Sequence, residues 1–152
     1  MDYLIRDCQP DDVNRLIDLC QKHAEYEMAS FNSVGKEDNL KKALFSDPPK
    51  LFCLVVEVSE IIVGYASYTF DFSTWDAATF MHMDCLYLEE EARGFGIGKI
   101  LIEKLKQIAK DKNCINIQWQ TPVFNERAIK FYHRIGGIEK DKVRFFLSVL
   151  KN

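Results

Sequence analysis

Between an apolar run from Thr79 to Leu88 and an amphipathic stretch that begins at Ile97 stands the hexapeptide Arg93-Gly94-Phe95-Gly96-Ile97-Gly98. No other segment limits the possible folds of this chain as strongly. Glycines at a strand-to-helix junction let the backbone turn tightly and approach a ligand closely. The helix that follows opens with N–H groups that have no intrahelical acceptor, at the positive end of its dipole. Unpaired donors, a dipole and an adjacent Arg suit an anion, phosphate above all. Three glycines alone are equally compatible with a plain tight turn. What strengthens the anion reading is Asn125-x-x-Ala128-x-x-Phe131-Tyr132, about thirty residues further on, in a second helical segment.

The periodicity around these motifs predicts a mixed α/β domain. Tyr3 to Cys8 reads as a first strand, and Pro10-Asp11-Asp12 starts a helix that places Val13, Leu16, Ile17 and Cys20 on one face and runs to about Met28. A second helix covers Glu37 to Phe45. Phe52 to Val58 and Ile61 to Phe70 form a hairpin about Ser59-Glu60, and an acidic loop with Trp75 leads into the strand Thr79 to Leu88. After the glycines, Ile97, Ile100, Leu101, Leu105, Ile108 and Ala109 keep helical spacing, and Ile115 to Gln120 alternates as a strand. Asn125 caps the next helix, which Gly136-Gly137 closes. Two short strands, near Ile138 and from Arg144 to Leu150, complete the expected chain.

Composition limits the function classes. A chain of 152 residues, 47% hydrophobic and 28% charged, is expected to form a single domain over 1–152 with a continuous core. Apolar runs such as Leu51 to Val56 are too short to span a bilayer, and the first residues lack the charge and hydropathy pattern of a signal peptide. Five scattered cysteines without a CxxC read as reduced thiols in a cytoplasmic protein. Three dispersed histidines give no metal-ligand spacing. The net charge of −3, with no basic stripe, argues against a nucleic-acid partner and weakly favours a cationic small molecule.

Taken together, these residues resemble the GCN5-related N-acetyltransferase superfamily, whose acetyl-coenzyme A signature Arg/Gln-x-x-Gly-x-Gly/Ala is matched by Arg93 to Gly98 without departure. Within it the chain is most similar to the diamine (spermidine/spermine) and thialysine N-acetyltransferase branch. Met81 through Tyr132 matches that branch in spacing, and Tyr26-Glu27 resembles its Tyr-Glu pair, while Gly137 to Arg144 is shorter than usual there. The resemblance implies a mostly antiparallel sheet of about seven strands, splayed at the cofactor site and flanked by about four helices. The pyrophosphate of acetyl-CoA would rest on the backbone of Gly94, Phe95, Gly96, Ile97, Gly98 and Lys99, beside Arg93. Its pantetheine arm would lie along Leu86, Tyr87 and Leu88, with Asn125 and Ala128 on the other side. Tyr132 holds the position of the family's general acid, against the cofactor, and Asp84 that of a Glu near the substrate amine in the diamine branch. A homodimer is expected by the same resemblance.

The chemistry asks for such groups. An alkyl ammonium must lose a proton before it can attack, at a cost of roughly 4–5 kcal/mol at neutral pH. Asp84 is the candidate base, acting through water, and the strand N–H of Leu88 is a donor for the developing oxyanion. Tyr132 would protonate the departing thiolate, so neither a metal nor an acyl-enzyme is required. Tyr26, Glu27, Asp84 and, further along, Asp141 are candidates for recognising the amine acceptor. Each also has an ordinary structural alternative, as solvated helix-end or strand residues. Cys85 as an acyl-accepting nucleophile is disfavoured, because no His stands at a pairing position and a buried thiol explains it. Acetylation of protein N-termini or lysines, and a non-catalytic acyl-CoA sensor, are the competing functional classes.

Overall fold

The computed structural model describes residues 1–150, leaving Lys151 and Asn152 of the expected domain outside it. It consists of two compact units, Met1–Pro122 and Val123–Asn152. The larger begins with β1 (Leu4–Asp7), a 3-10 turn over Pro10–Asp12, and helices α1 (Val13–Tyr26) and α2 (Lys36–Phe45). Strands β2 (Phe52–Val58), β3 (Ile61–Ser73) and β4 (Ala78–Leu88) follow, then a 3-10 turn (Glu90–Ala92), α3 (Ile97–Asp111) and β5 (Ile117–Gln118). The strands lie in sequence order in one sheet, antiparallel from β1 to β4, with β5 parallel to β4.

Helices on both faces explain the continuous apolar run of β2. Val55 packs with Val13, Leu16, Leu19, Leu44, Tyr65 and Tyr87 on the α1–α2 side. Leu54 lines a cleft with Lys104, Gln107 and Ile108 of α3 on the other, so successive residues of one strand are all buried. Arg6 fastens the beginning of the chain to this layer. Its guanidinium forks onto Asp12 (2.7 and 3.1 Å) while Nε bonds Glu57 (2.9 Å). The Arg6 side chain holds the Asp12 carboxyl below its usual range.

Two features of β4 shape the site. It pairs with β3 along its whole length, but with β5 only at Met81 and His82. Among the described residues, no strand pairs with the outer edge of β4 beyond His82. The register also shifts by one residue, Ser67 facing Cys85 and Tyr68 facing Met83, so Asp84 is the extra residue of a bulge. The hairpin between β3 and β4 is longer than expected, ordered to Ser73 and resuming at Ala78, with Trp75 of its turn almost fully exposed.

The smaller unit contains α4 (Glu126–Arg134), ended by Gly136 in the left-handed region (φ 95°). The two expected strands near Ile138 and over Arg144 to Leu150 are not formed, and the sheet has five strands rather than about seven. A strand satisfies its backbone only by pairing, and the described residues of this unit hold no second strand. The alternating side chains Phe145, Leu147 and Val149 are exposed. Elsewhere among the described residues no helix is long and apolar enough to cross a membrane, and all five cysteines are free thiols.

Gly64 of β3 permits the close approach to the end of β4. A Cβ there would collide with the Leu88 side chain and stand 2.8 Å from the Tyr87 carbonyl oxygen. Gly64→Ala is expected to destabilise the protein by about 1–3 kcal/mol, the usual cost of overpacking a fixed backbone. Urea unfolding measures it, and an unchanged midpoint would show that the β3–β4 contact relaxes freely.

Candidate active site

The turn after β4 has the geometry its glycines suggest. Gly94 and Gly96 have positive φ (85° and 78°), a conformation costly for any residue with a side chain. At both, the position of a Cβ faces open space, with no other atom within 4 Å. The backbone here is bare on its outer side. Gly96 caps α3 without a side-chain hydrogen bond, and the helical ladder starts when Ile100 N–H donates to the Gly96 carbonyl. The N–H groups of Ile97, Gly98 and Lys99 thus lack intrahelical acceptors, while the buried Ile97 side chain anchors the turn to the core. Phe95 is half exposed. This surface fits an anionic pyrophosphate: unpaired donors, a helix dipole and no side chain in the way.

Arg93 ties the turn to the end of β4. Its Nε donates to the Leu88 carbonyl (2.8 Å), and its guanidinium lies over the rings of Tyr26 (4.8 Å) and Tyr87 (5.5 Å). Glu89 N–H donates to Val63 of β3 (2.8 Å). By the alternation of an antiparallel ladder, the N–H and C=O of Leu88 then face the open edge, where Arg93 occupies the carbonyl. Leu86 faces the same edge by the same alternation, whereas Tyr87 pairs with Tyr65. On α1, Arg15 (3.0 Å) and Lys22 both reach the Glu89 carboxylate. Partial burial opposes ionisation of Glu89, but these cations outweigh it and hold the carboxyl below its usual range.

On the α1 side of this edge lies a set of polar groups that sequence reasoning passes over. His23 Nε2 is 2.8 Å from Glu27 Oε2, and His23 Nδ1 is 3.0 Å from the Tyr65 hydroxyl. The imidazole stacks on Tyr87, with ring centroids 5.2 Å apart. Cys20 and Cys85 both interact with the Tyr65 hydroxyl, whose ionisation burial suppresses strongly. Cys85 Sγ in turn lies 3.7 Å from Asp84 Oδ2. Asp84 and Glu27, assigned separately from sequence, are the two ends of one chain of contacts: Asp84, Cys85, Tyr65, His23, Glu27. The signal available in the sequence was the His23-x-x-x-Glu27 spacing, which puts both residues on one helix face.

Asp84 is largely exposed, with His82 Nε2 3.8 Å from its other oxygen. The bulge accounts for its contact with Cys85, since strict alternation of adjacent residues fails there. Tyr26, Glu27, Tyr87, Leu88 and Arg93 are thus brought together. Asn125, Ala128 and Tyr132 belong to the smaller unit, where the i, i+3, i+7 spacing sets them on one face of α4. Asn125 Oδ1 accepts from Ala128 N–H (3.4 Å), the N-cap that the sequence suggests, and the Tyr132 ring packs against Phe131 at 5.4 Å. No group of three potential ligands among the described residues is placed to hold a metal ion.

Comparison with known proteins identifies the family. The model of the acetyltransferase (GNAT) family matches residues 14–137, and the chain belongs to that family. It is an N-acetyltransferase, and the family uses acetyl-CoA as donor. The thialysine N-epsilon-acetyltransferase of Bos taurus is 30% identical over 142 residues, 88% of this chain and 83% of that protein. The spermidine/spermine N(1)-acetyltransferase-like protein 1 of Homo sapiens is 26% identical over 148 residues, 91% of this chain and 21% of that longer protein. The crystal structure of a possible acetyltransferase from Clostridium difficile 630 superposes with a TM-score of 0.83 at 23% identity, covering 98% of this chain and 99% of that one.

Cys85 does not have the character of a nucleophile. Burial, and secondarily the Asp84 charge, push its thiol up to about 12. At pH 8 in the native protein it should alkylate about a thousandfold more slowly than an unperturbed thiol, following the thiolate fraction. Iodoacetamide labelling read by peptide mass spectrometry measures the rate. Rapid labelling of Cys85 before unfolding would return it to the list of nucleophiles.

Proposed function

We propose that this chain, a single domain over 1–152, transfers the acetyl group of acetyl-CoA to a primary amine of a small cationic acceptor, a diamine, polyamine or lysine-like compound. The observation that carries this reading is the unpaired edge of β4 leading into the bare glycine turn, with two carboxylates, Asp84 and Glu27, linked behind that edge. The names of the thialysine and spermidine/spermine relatives support the acceptor class. The family match from residue 14 to 137, which runs through both units, supports a single functional domain.

Acetyl-CoA supplies an electrophilic thioester carbonyl. The donors from Gly94 to Lys99 bind its pyrophosphate, and Leu86, Tyr87 and Leu88 run beside its pantetheine arm. Asn125 and Ala128 complete the cofactor set on α4. Leu88 N–H donates to the carbonyl oxygen as negative charge builds there. Asp84 takes the acceptor's proton through water, and its exposed carboxylate suits a relay better than direct contact. The Tyr132 hydroxyl gives its proton to the departing sulfur. Tyr26 and Glu27 recognise the acceptor, with Glu27 opposite its distal ammonium. Much of the rate comes from holding two substrates in register, so no covalent enzyme intermediate enters. We place the protein in the cytoplasm as a homodimer, on its five free thiols and on the branch resemblance respectively.

Release of CoA from acetyl-CoA, followed with diamines, polyamines, thialysine, amino acids, aminoglycosides and a peptide mixture, tests the acceptor class. Turnover should be fastest with amines bearing a second cationic group a few bonds away, simple monoamines reacting more slowly. Activity on peptides alone would move the chain to the protein acetyltransferases. Silence with acetyl-CoA still bound would leave a sensor.

Two substitutions test the roles. Tyr132→Phe should lower kcat by roughly 10²-fold with little change in acetyl-CoA affinity, the effect of losing a general acid. Asp84→Asn should lower kcat/KM and remove the acidic limb of its pH profile. Unaltered turnover in the first, or an unaltered profile in the second, sinks that assignment.

A further inference from the structure

We propose that His23 is a positioning residue for acceptor specificity: held between the Tyr65 hydroxyl and Glu27, it fixes the Glu27 carboxylate and sets its free charge for the distal ammonium of the acceptor. The inference rests on the acceptor reading above and adds a residue and a pH dependence to it.

The hydrogen bonds fix the tautomer. An ionised Glu27 can only accept, so His23 Nε2, at 2.8 Å, carries the hydrogen. In the neutral ring Nδ1 is then an acceptor, and the Tyr65 hydroxyl at 3.0 Å donates to it. Cys20 and Cys85 also interact with the Tyr65 hydroxyl, while the Cys85 thiol donates to Asp84 Oδ2 (3.7 Å). The hydrogen bonds therefore run one way from phenol to imidazole to carboxylate and end on Glu27. Stacking on Tyr87 keeps the ring from rotating, and the His23 side chain is only 15% exposed against 28% for Glu27. The carboxylate is the more exposed of the two.

Protonation changes this state. In the imidazolium both nitrogens donate, Nδ1–H to the Tyr65 oxygen and Nε2–H to Glu27, and the positive ring competes with a bound ammonium for the same carboxylate. Other titratable or charged groups around the ring are Cys20, Tyr26 and Glu27 of the α1 segment, Tyr65 of β3, Cys85 and Tyr87 of β4, and Arg93 over Tyr26 and Tyr87. Burial raises Cys20, Cys85, Tyr65 and Tyr87 above their ordinary values, which leaves them neutral across the range where an imidazole titrates. Arg93 stays charged throughout. His23 is the imidazole in hydrogen-bond contact with Glu27.

The test is the ratio of kcat/KM for 1,4-diaminobutane to that for butylamine at saturating acetyl-CoA. The ratio cancels ionisation of the attacking amine and of any shared base. For the unaltered protein it should rise about threefold to fivefold from about pH 5.5 to 8, the scale of one partly exposed charge pair. His23→Gln keeps a donor for Glu27 and an acceptor for Tyr65 but cannot titrate. It should hold the high-pH ratio at every pH. His23→Leu should lower the ratio at every pH while leaving kcat for butylamine within about twofold. By linkage, 1,4-diaminobutane should lower the His23 titration midpoint seen by side-chain NMR, a readout that needs no variant to fold. A flat ratio in the unaltered protein, an unchanged slope in His23→Gln or an NMR midpoint indifferent to the diamine overturns the role of His23 while diamine turnover stands. Failure to acetylate either amine overturns the acceptor reading itself, and this inference with it.

Discussion

An antiparallel strand has two edges of hydrogen-bonding groups, and in β4 only one of them is filled along its length. The β3 ladder holds Ala78 to Leu88 in place, whereas β5 takes up the other edge only at Met81 and His82. Unpaired backbone in a folded protein must find water, a side chain or a ligand. At Leu88 the carbonyl is met by Arg93, which leaves the neighbouring N–H as the donor at that point of the edge. The open edge also explains why the glycine turn follows directly. A ligand laid along β4 runs straight into the N-terminus of α3, where the backbone donors of Ile97 to Lys99 are exposed by the absence of side chains at Gly94 and Gly96.

Keeping such an edge open has a structural requirement, because a strand paired on one side only is free to twist or slip. Here the end of β4 is secured by groups outside the ladder. Gly64 brings β3 close beneath Tyr87 and Leu88. Arg15 and Lys22 of α1 hold Glu89, and Arg93 spans Leu88 and Tyr26. A hydrogen bond with a charged partner contributes about 1.5–3 kcal/mol, and both Arg93 to the Leu88 carbonyl and Arg15 to Glu89 are of this kind. Arg93 lies within the same hexapeptide as the positive-φ glycines, and the motif both builds the turn and fastens it.

The parts of this arrangement that were legible in the sequence are those fixed by local chemistry. Positive-φ glycines, the Asn125 cap and the periodicities of α1, α3 and β2 follow from neighbours a few residues apart. The bulge at Asp84 was not legible, because it depends on which residues of β3 stand opposite. The link between Asp84 and Glu27 was also hidden, since it passes through Tyr65 on a third element. The strand expected from Arg144 to Leu150 failed for a related reason. Alternation of apolar residues prescribes which side chains share a face, but a strand exists only where a second strand accepts its hydrogen bonds, and the described part of the smaller unit supplies none.

Burial beside the open edge selects which groups carry charge. Tyr65 and Cys85 are titratable, yet both are held neutral, so the contact chain between Asp84 and Glu27 transmits orientation without placing charge in the core. The anionic groups are left at its two ends, partly exposed to solvent, where a cation can reach them. On the other side of the same strand end, α3 presents its positive pole to the glycine turn.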